Sequence, residues 1–373
     1  MRTYDHDEAI RLLVERTDAT LASDQPGYPH YADPADGTWR RTPDGFWTGG
    51  FWGSLLALAA VATGEERYAA AAEQVAVGLT GRAESDTAFR GFLFHYGALL
   101  PHLLTRSGAA AESALAGARG LASAFNGDAG LIPLGSQAEE AGDVGAGAAN
   151  IDAVPGTVAL LCWAAERTGE TGLADIARRH AARHVEYCVR DDGSVAQSAA
   201  FDERTGELQR RYTHKGLSDD STWARAQAWA MLGFAQAAHW SGPEFLDPAL
   251  RVADRWIEWL PDCRVAPWDF AAGADAPRDT SASAIAAVAL LALADQATDR
   301  PHYRDHAAAT VRRLVMDHLT PVTEDDPRPA GILTAGCFDQ RRGEATAHEL
   351  IWGDHFLLES LLRLRGDVVT PTP

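Results

Sequence analysis

Basic residues are scarce in this chain. Only 33 Lys and Arg face 52 Asp and Glu in 373 residues, a formal charge of −19. A surface that acidic repels phosphate backbones, which argues against nucleic acid as a partner, and against anionic membrane surfaces for the same reason. No apolar run approaches the roughly 18 residues a transmembrane helix needs. The first residues, MRTYDHDEAIRLLVERTD, are charged throughout and lack the apolar stretch of a signal peptide. Cysteine is equally sparse. Cys162, Cys188, Cys263 and Cys337 lie far apart with no CxxC pair, so neither a zinc site nor a disulfide framework is expected. Buried free thiols in a reducing compartment are the expectation, hence a cytoplasmic location. Also missing are HExxH and HxH clusters, a GxSxG elbow, a GxxxxGK[ST] loop and a strand-borne GxGxxG. Metal sites, serine hydrolases and nucleotide-dependent enzymes are set aside accordingly.

What the chain does have is apolar material, 46% against 23% charged, enough for a large core. Its long apolar segments carry helical rather than alternating spacing. Leu55, Leu56, Leu58, Ala59, Val61 and Ala62 suit one such helix. Strand-like alternation is confined to short pieces such as Ser194–Ser198 and Gly331–Thr334. Breaks at Thr63-Gly64, Ser107-Gly108, Thr168-Gly169, Gly242-Pro243 and Arg300-Pro301 punctuate the helices, with glycine closing one and proline opening the next. The pattern predicts about twelve helices, over 6–22, 50–63, 66–80, 90–106, 109–124, 154–168, 172–190, 221–240, 245–260, 280–296, 301–318 and 347–365. Taken as six hairpins they predict an all-α fold, an (α/α)6 toroid filling 1–373 as a single domain, with 1–46 partly irregular. The competing α-solenoid fits poorly with hairpins of such irregular length. In a toroid the more apolar helix of each pair lines the inside and its N-terminal end faces a central cavity. Long loops precede these helices at 26–48, 126–150, 191–220, 261–278 and 320–345, and loops of that length are more often functional than idle.

Eleven Trp residues are present, several at the starts of inner helices: Trp47, Trp52, Trp223, Trp229, Trp268 and Trp352. Large aromatics fill a wide core, or they line a cleft that stacks on the apolar faces of sugars. Arg225 and Trp229 are four apart and share a helix face. An Arg on an otherwise apolar helix needs an anionic or strongly polar partner. Asp152, just before an apolar helix, reads either as an N-cap or as a general acid whose proton apolar surroundings retain. Asp86, Asp219, Asp220, Asp279, Glu349 and Asp354 are further carboxylate candidates. Asp219, Asp220 and Asp279 precede Ser and Thr and also read as caps. His95, His214 and His348 fall near these segments.

Several segments in order resemble glycoside hydrolase family 88, the unsaturated glucuronyl hydrolases, from about Trp47 to Leu364. Trp47-Thr48-Gly49-Gly50-Phe51-Trp52-Gly53 is similar to the family's WTSGFWPG. Thr213-His214-Lys215-Gly216 with Asp219-Asp220-Ser221-Thr222-Trp223-Ala224-Arg225-Ala226-Gln227-Ala228-Trp229 is similar to THQG…DxSxWARGQAW. Arg278-Asp279-Thr280-Ser281-Ala282 is similar to RDTSA, and Leu350-Ile351-Trp352-Gly353-Asp354-His355-Phe356 to LIWGDYF. The resemblance implies an (α/α)6 fold and a metal-independent, cofactor-free enzyme. It implies a substrate made by polysaccharide lyases, with a C4=C5 double bond on a terminal uronic acid that is hydrated. The family's proton donor lies in an IID segment, which Asn150-Ile151-Asp152 matches. His214, Arg225, Gln227 and Trp229 carry over as substrate contacts and Trp47 as a stacking residue. Trp52, Phe89, Arg90, His348 and Trp352 complete the expected substrate-binding set. An oligosaccharide or glycoside is the expected partner, bound by a monomer or homodimer.

Two departures stand out. The family's second aspartate, in an HDxGF segment, falls on Phe89. Asp86, three residues earlier, replaces it if the backbone there is helical. A family serine ahead of LIWGDYF falls on Glu349, preceded by His348. An ionised Glu349 repels a nearby uronate by about 1 kcal/mol in water and more when buried, unless it is protonated or turned away, or unless Arg90 compensates. Three readings follow: the family reaction with a shifted second carboxylate; a different, non-uronate sugar with Asp152 and Glu349 as acid/base pair; or saccharide binding without catalysis.

Overall fold

Helix stops fall where glycine allows a left-handed residue. Helix α2 (Gly49–Thr63) ends at Gly64, with φ 74°, and α8 (Thr157–Thr168) ends at Gly169, with φ 78°. Such angles cost a Cβ-bearing residue energy and cost glycine none. The break at 106–108 works differently. Arg106 itself takes the left-handed conformation (φ 65°), Ser107 caps the following helix through the Ala110 N–H, and Gly108 starts it. The computed structural model describes residues 4–23, 25–202, 204–323, 326 and 328–368, so the 320–345 loop is described except at 324, 325 and 327.

Six outer–inner hairpins follow in chain order. The outer helices are α1 (His6–Leu21), α3 (Glu66–Leu79), α6 (Gly108–Ser123), α9 (Thr171–Cys188), α11 (Leu246–Trp259) and α13 (His302–Arg313). The inner ones are α2, α4 (Arg90–Phe94) continued through a π turn into α5 (Leu100–Thr105), α8, α10 (Ala224–Trp240), α12 (Thr280–Gln296) and α14 (Ile351–Arg365). A short helix, α7 (Ala141–Val144), lies in the 126–150 loop. Each inner stretch packs on the next, and α14 returns to pack on α2, closing the ring. This is the (α/α)6 toroid, and the closure rules out the solenoid. Inner helices are enclosed on all sides, so they are apolar all round: every residue of α12 from Thr280 to Leu293 is buried. The outer helix α11 buries only Pro248, Ala249, Val252, Ala253 and Trp256, one stripe at helical spacing. Gly91 lets two inner helices approach closely, since a Cβ there would collide with the Thr157 hydroxyl.

Two three-stranded antiparallel sheets sit at one end of the ring. One has the order β2 (Trp39–Thr42), β1 (Tyr28–Ala32), β6 (Glu349–Leu350); the other β3 (Ala149–Asn150), β4 (Ser198–Phe201), β5 (Leu208–Tyr212). The strands expected at 194–198 and 331–334 are corrected here. The first shares only Ser198 with β4, and the second contributes one isolated bridge, Leu319 with Leu333. The segment 1–46, expected to be partly irregular, carries a full outer helix and the β1–β2 hairpin.

The seam between the two ends of the chain is an ion pair. Arg16 on α1 grips Glu349 with two nitrogens, Nε to Oε1 at 2.8 Å and Nη2 to Oε2 at 2.6 Å, and also donates to the Gly37 carbonyl. Glu349 is 0% exposed. Removing one partner of a buried pair leaves an uncompensated charge, typically at a cost of about 3–5 kcal/mol. Arg16→Met is therefore expected to lower unfolding free energy by about that amount, read as a shifted midpoint at unchanged slope in urea denaturation.

Candidate active site

The β3–β4–β5 sheet gathers three polar residues beyond its strand ends. Asn150 pairs with Ser198, and Ser198 with Tyr212. Asp152 follows β3 by two residues, Gln197 precedes β4 by one, and His214 follows β5 by two. The Ile151 N–H donates to the Gln197 carbonyl at 2.9 Å, tying the strand ends together. Asn150, not Asp152, does the capping: its Oδ1 accepts the Asp152 N–H at 2.9 Å. The Asp152 carboxyl is left free of that duty. It is 6% exposed, and its Oδ1 has no hydrogen-bond partner among the described residues.

The loop between α6 and β3 brings two more carboxylates. Glu140 Oε1 lies 3.0 Å from His214 Nε2. Glu139 accepts from Lys215 Nζ at 2.9 Å and from the Trp47 indole N–H at 3.1 Å. Asp339 lies 3.4 Å from the same ammonium, which sits 4.2 Å from the Phe338 ring centre. Gln197 fixes this turn: its Oε1 accepts from the Thr213 hydroxyl at 2.7 Å and the Lys215 N–H at 3.2 Å. Aromatic rings form the adjoining wall. Trp47 packs on Trp352 (4.9 Å between centroids) and Phe92 (5.6 Å), and lies 6.5 Å from Phe89. Trp229 continues it at 4.7 Å from Phe92. Arg225 stacks over Trp223 and Trp352 while donating to Asp279 and to the carbonyls of Cys337 and Phe338.

Burial pushes the Asp152 carboxyl well above the usual range, and the negative charge of Glu140 adds to this; Arg225 and Lys215 act against it but do not prevail. Asp152 therefore holds its proton where an exposed carboxyl has lost it. Glu140 goes the other way. Burial works to raise it, but the hydrogen bond and charge of His214, with Lys215, hold it below the usual range. Two carboxyls are thus pushed apart, the usual sign of an acid and an ionised partner. His30, packed among Tyr31, Phe46, Phe338 and Trp352, is pushed down to about 3 by burial and is neutral.

Several expected site residues lie elsewhere. Asp86 is exposed, in a bend rather than a helix, and its carboxylate accepts the Ser136 N–H and hydroxyl. It does not supply the second carboxylate. Glu349 is held by Arg16 and backed by Asp354, whose carboxyl burial pushes well above its usual range. The acid/base pair of Asp152 with Glu349 is not formed. Arg90 turns back to the carbonyls of Ala83 and Thr87. Gln227 faces the outer layer, donating to the carbonyls of Gly193 and Val252. Trp52 borders a pocket with Tyr28, Gln74 and Val75 on the outer side of α2. His348 packs edge-on to Tyr31. Asp279 caps α12 through Ser281 and Ala282, whereas Asp219 accepts the Thr213 N–H and caps no helix. Glu139, Glu140, Lys215, Asp339, Gln197, Phe338 and His30 were not anticipated. The length of the 126–150 loop was the one signal for the first two.

A surface pocket of ≈ 420 Å³ has His214 and Thr213 among its lining and Arg210, Arg341 and Arg342 around it. A larger one, ≈ 660 Å³, lies between Arg190, Trp259 and Phe270; of the carboxylate candidates read from the sequence it takes in Asp220 and not Asp152. Among the described residues no three His, Cys, Asp or Glu side chains group as a metal site, and no helix is long and apolar enough to cross a membrane.

No family model matches the chain. It is 32% identical over 352 residues to the unsaturated glucuronyl hydrolase of Bacillus sp. (strain GL1), covering 91% of this chain and 92% of that one. The chain belongs to the unsaturated glucuronyl hydrolase family. The crystal structure of the Bacillus sp. GL1 hydrolase superposes with a TM-score of 0.88 at 30% identity, over 97% of each chain. The unsaturated chondroitin disaccharide hydrolase of Streptococcus pyogenes serotype M1 is 28% identical over 86% of this chain and 82% of its own. Against this unsaturated glucuronyl hydrolase framework, the carboxylate-rich 126–150 loop is the feature that the motif comparison did not anticipate.

The raised Asp152 carboxyl has a measurable consequence for stability. Its folded-state affinity for a proton exceeds that of the unfolded chain, whose Asp titrates near about 3.9. The associated stability is complete below that value and is lost as pH rises toward the folded-state titration. Asp152→Asn removes this loss. Its unfolding free energy relative to the parent chain is expected to grow as pH is raised above about 4, measured by denaturation across a pH series.

Proposed function

We propose that this enzyme hydrates the C4=C5 double bond of a terminal unsaturated uronic acid and thereby releases the sugar attached to it. The observation that carries the reading is the Asp152 carboxyl, which is buried, raised well above the usual range by that burial, and without a hydrogen-bond partner at Oδ1 among the described residues, within a family whose relatives bear that activity in their names. Asp152 delivers its proton to C4, and the positive charge develops on C5 and the ring oxygen. Water adds at C5 and gives its proton to the Asp152 carboxylate, restoring the acid. The hemiketal so formed opens, and the linked saccharide departs from C1. A positioned group of this kind contributes about 10²–10⁴-fold. Trp47, backed by the fully buried Trp352, offers the apolar face on which the sugar stacks.

Two features favour an acidic sugar. The repulsion expected from Glu349 is cancelled, because Arg16 neutralises that side chain. The pocket that reaches His214 is lined by Arg210, Arg341 and Arg342 against Asp143 and Asp219, with Arg342 paired to Asp143, a small positive excess in a chain of −19 that favours an anionic oligosaccharide. Lyase products of the chondroitin or heparin kind are the substrate class. The buried thiols of Cys162, Cys188 and Cys337 accord with work in the cytoplasm, as a monomer or homodimer.

The test follows the conjugated double bond by its ultraviolet absorbance with unsaturated disaccharides from chondroitin, hyaluronan, heparin and gellan. At least one should lose absorbance, and Asp152→Asn should slow that loss by about 10²-fold or more while the fold is retained. Persistence of the double bond in all four sinks the reading.

A further inference from the structure

The place of a second carboxylate is empty on the helix where the family resemblance puts it, since Phe89 stands there against Trp47 and Phe92. Asp86 faces away. Yet the folded chain does bring a second carboxylate, Glu140, near enough for its charge to act on Asp152. Glu140 is 2% exposed. One of its oxygens lies 3.0 Å from His214 Nε2. The other, Oε2, has no partner among the described residues, and neither do Asp152 Oδ1 and His214 Nδ1. Three buried polar atoms without partners, on three segments that meet at one sheet end, are costly unless a ligand completes them. Alternating donors and acceptors on a sugar ring match such a set.

We propose that Glu140 is the second carboxylate of the site, accepting a hydroxyl of the bound sugar through Oε2. The inference rests on the hydration reading above and deepens it. His214 positions Glu140 from the turn after β5, and Lys215 supplies the neighbouring positive charge. The second effect of Glu140 is electrostatic. Facing Asp152 are Glu139 and Glu140 from the loop, Lys215 after β5, Arg225 from α10 and Cys188 from α9. Removing the Glu140 charge leaves the two cations less opposed, which favours ionised Asp152. The acid then loses its proton at lower pH.

Glu140→Gln keeps the side-chain shape and an acceptor but removes the charge. Its kcat/KM on an unsaturated disaccharide is expected to fall by about 10-fold or more, and the alkaline limb of its pH profile is expected to move to lower pH. Glu140→Asp keeps the charge and should retain the position of that limb while losing rate. Should Glu140→Gln not fold, Glu140→Asn against Glu140→Asp reads the same contrast. The proposal is overturned if the uncharged variant keeps the parent's kcat/KM and limb, or if charged and uncharged variants move the limb alike. Failure of the hydration reading is distinguishable, because then the parent chain itself consumes no double bond.

Discussion

Taking a carboxyl out of water is the constraint around which this molecule is arranged. A buried carboxylate needs a cation, a set of donors or a proton. Most of the buried acids here have the first. Glu349 has Arg16, Asp279 has Arg225, and Glu139 and Asp339 share Lys215. Among the described residues Asp152 has no cation in contact and no donor on Oδ1, so its remaining solution is to keep the proton. Asp354 meets burial in the same way behind Glu349, but at the end of the β3–β4–β5 sheet the retained proton turns a structural group into a chemical one. The surrounding pairs matter because they occupy the nearby cations, which otherwise would ionise it.

The ring makes this arrangement rigid. Arg225 on one inner helix holds Asp279 at the start of the next and also the carbonyls of Cys337 and Phe338 from the long loop before β6. Asp279 in turn accepts the Cys337 N–H. Two inner helices and a loop are therefore locked at the mouth of the toroid by one guanidinium. The aromatic wall rests on this lock, since Trp352 lies beneath Arg225 and Trp47 packs on Trp352.

The helices were legible because inner and outer partners have different but steady apolar spacing. The sheets were not, since their strands run two to five residues and β5, LQRRY, is exposed or half-exposed over four of five positions. Within the site, helical geometry itself shows which motif residues can act together. Arg225 and Trp229 share a face, but Gln227 lies two residues from each, about 200° around the helix, and belongs to the outer side. Trp52 is likewise one step from Phe51, which packs inward on Trp47 and Trp229, so Trp52 turns outward. Motif membership names both faces of a helix, and only one lines a cavity. Glu139 and Glu140 carried no periodic signal, because a loop has no period.

That loop explains Asp86. The residue does no chemistry at the site, yet it seats the segment that does. Its carboxylate takes the Ser136 N–H and hydroxyl, its carbonyl takes the Gln137 N–H, and its own N–H goes to the Gln137 side chain. At the far end the Tyr212 hydroxyl donates to the Val144 carbonyl and Arg342 pairs with Asp143. Glu139 and Glu140 lie between these anchors. The charge around Asp152 is thus set by how firmly a surface segment is moored at both ends, and the proton on the acid depends on contacts with the outer rim of the fold. Asp86, three residues before Phe89, is thus a mooring of the loop that carries Glu139 and Glu140.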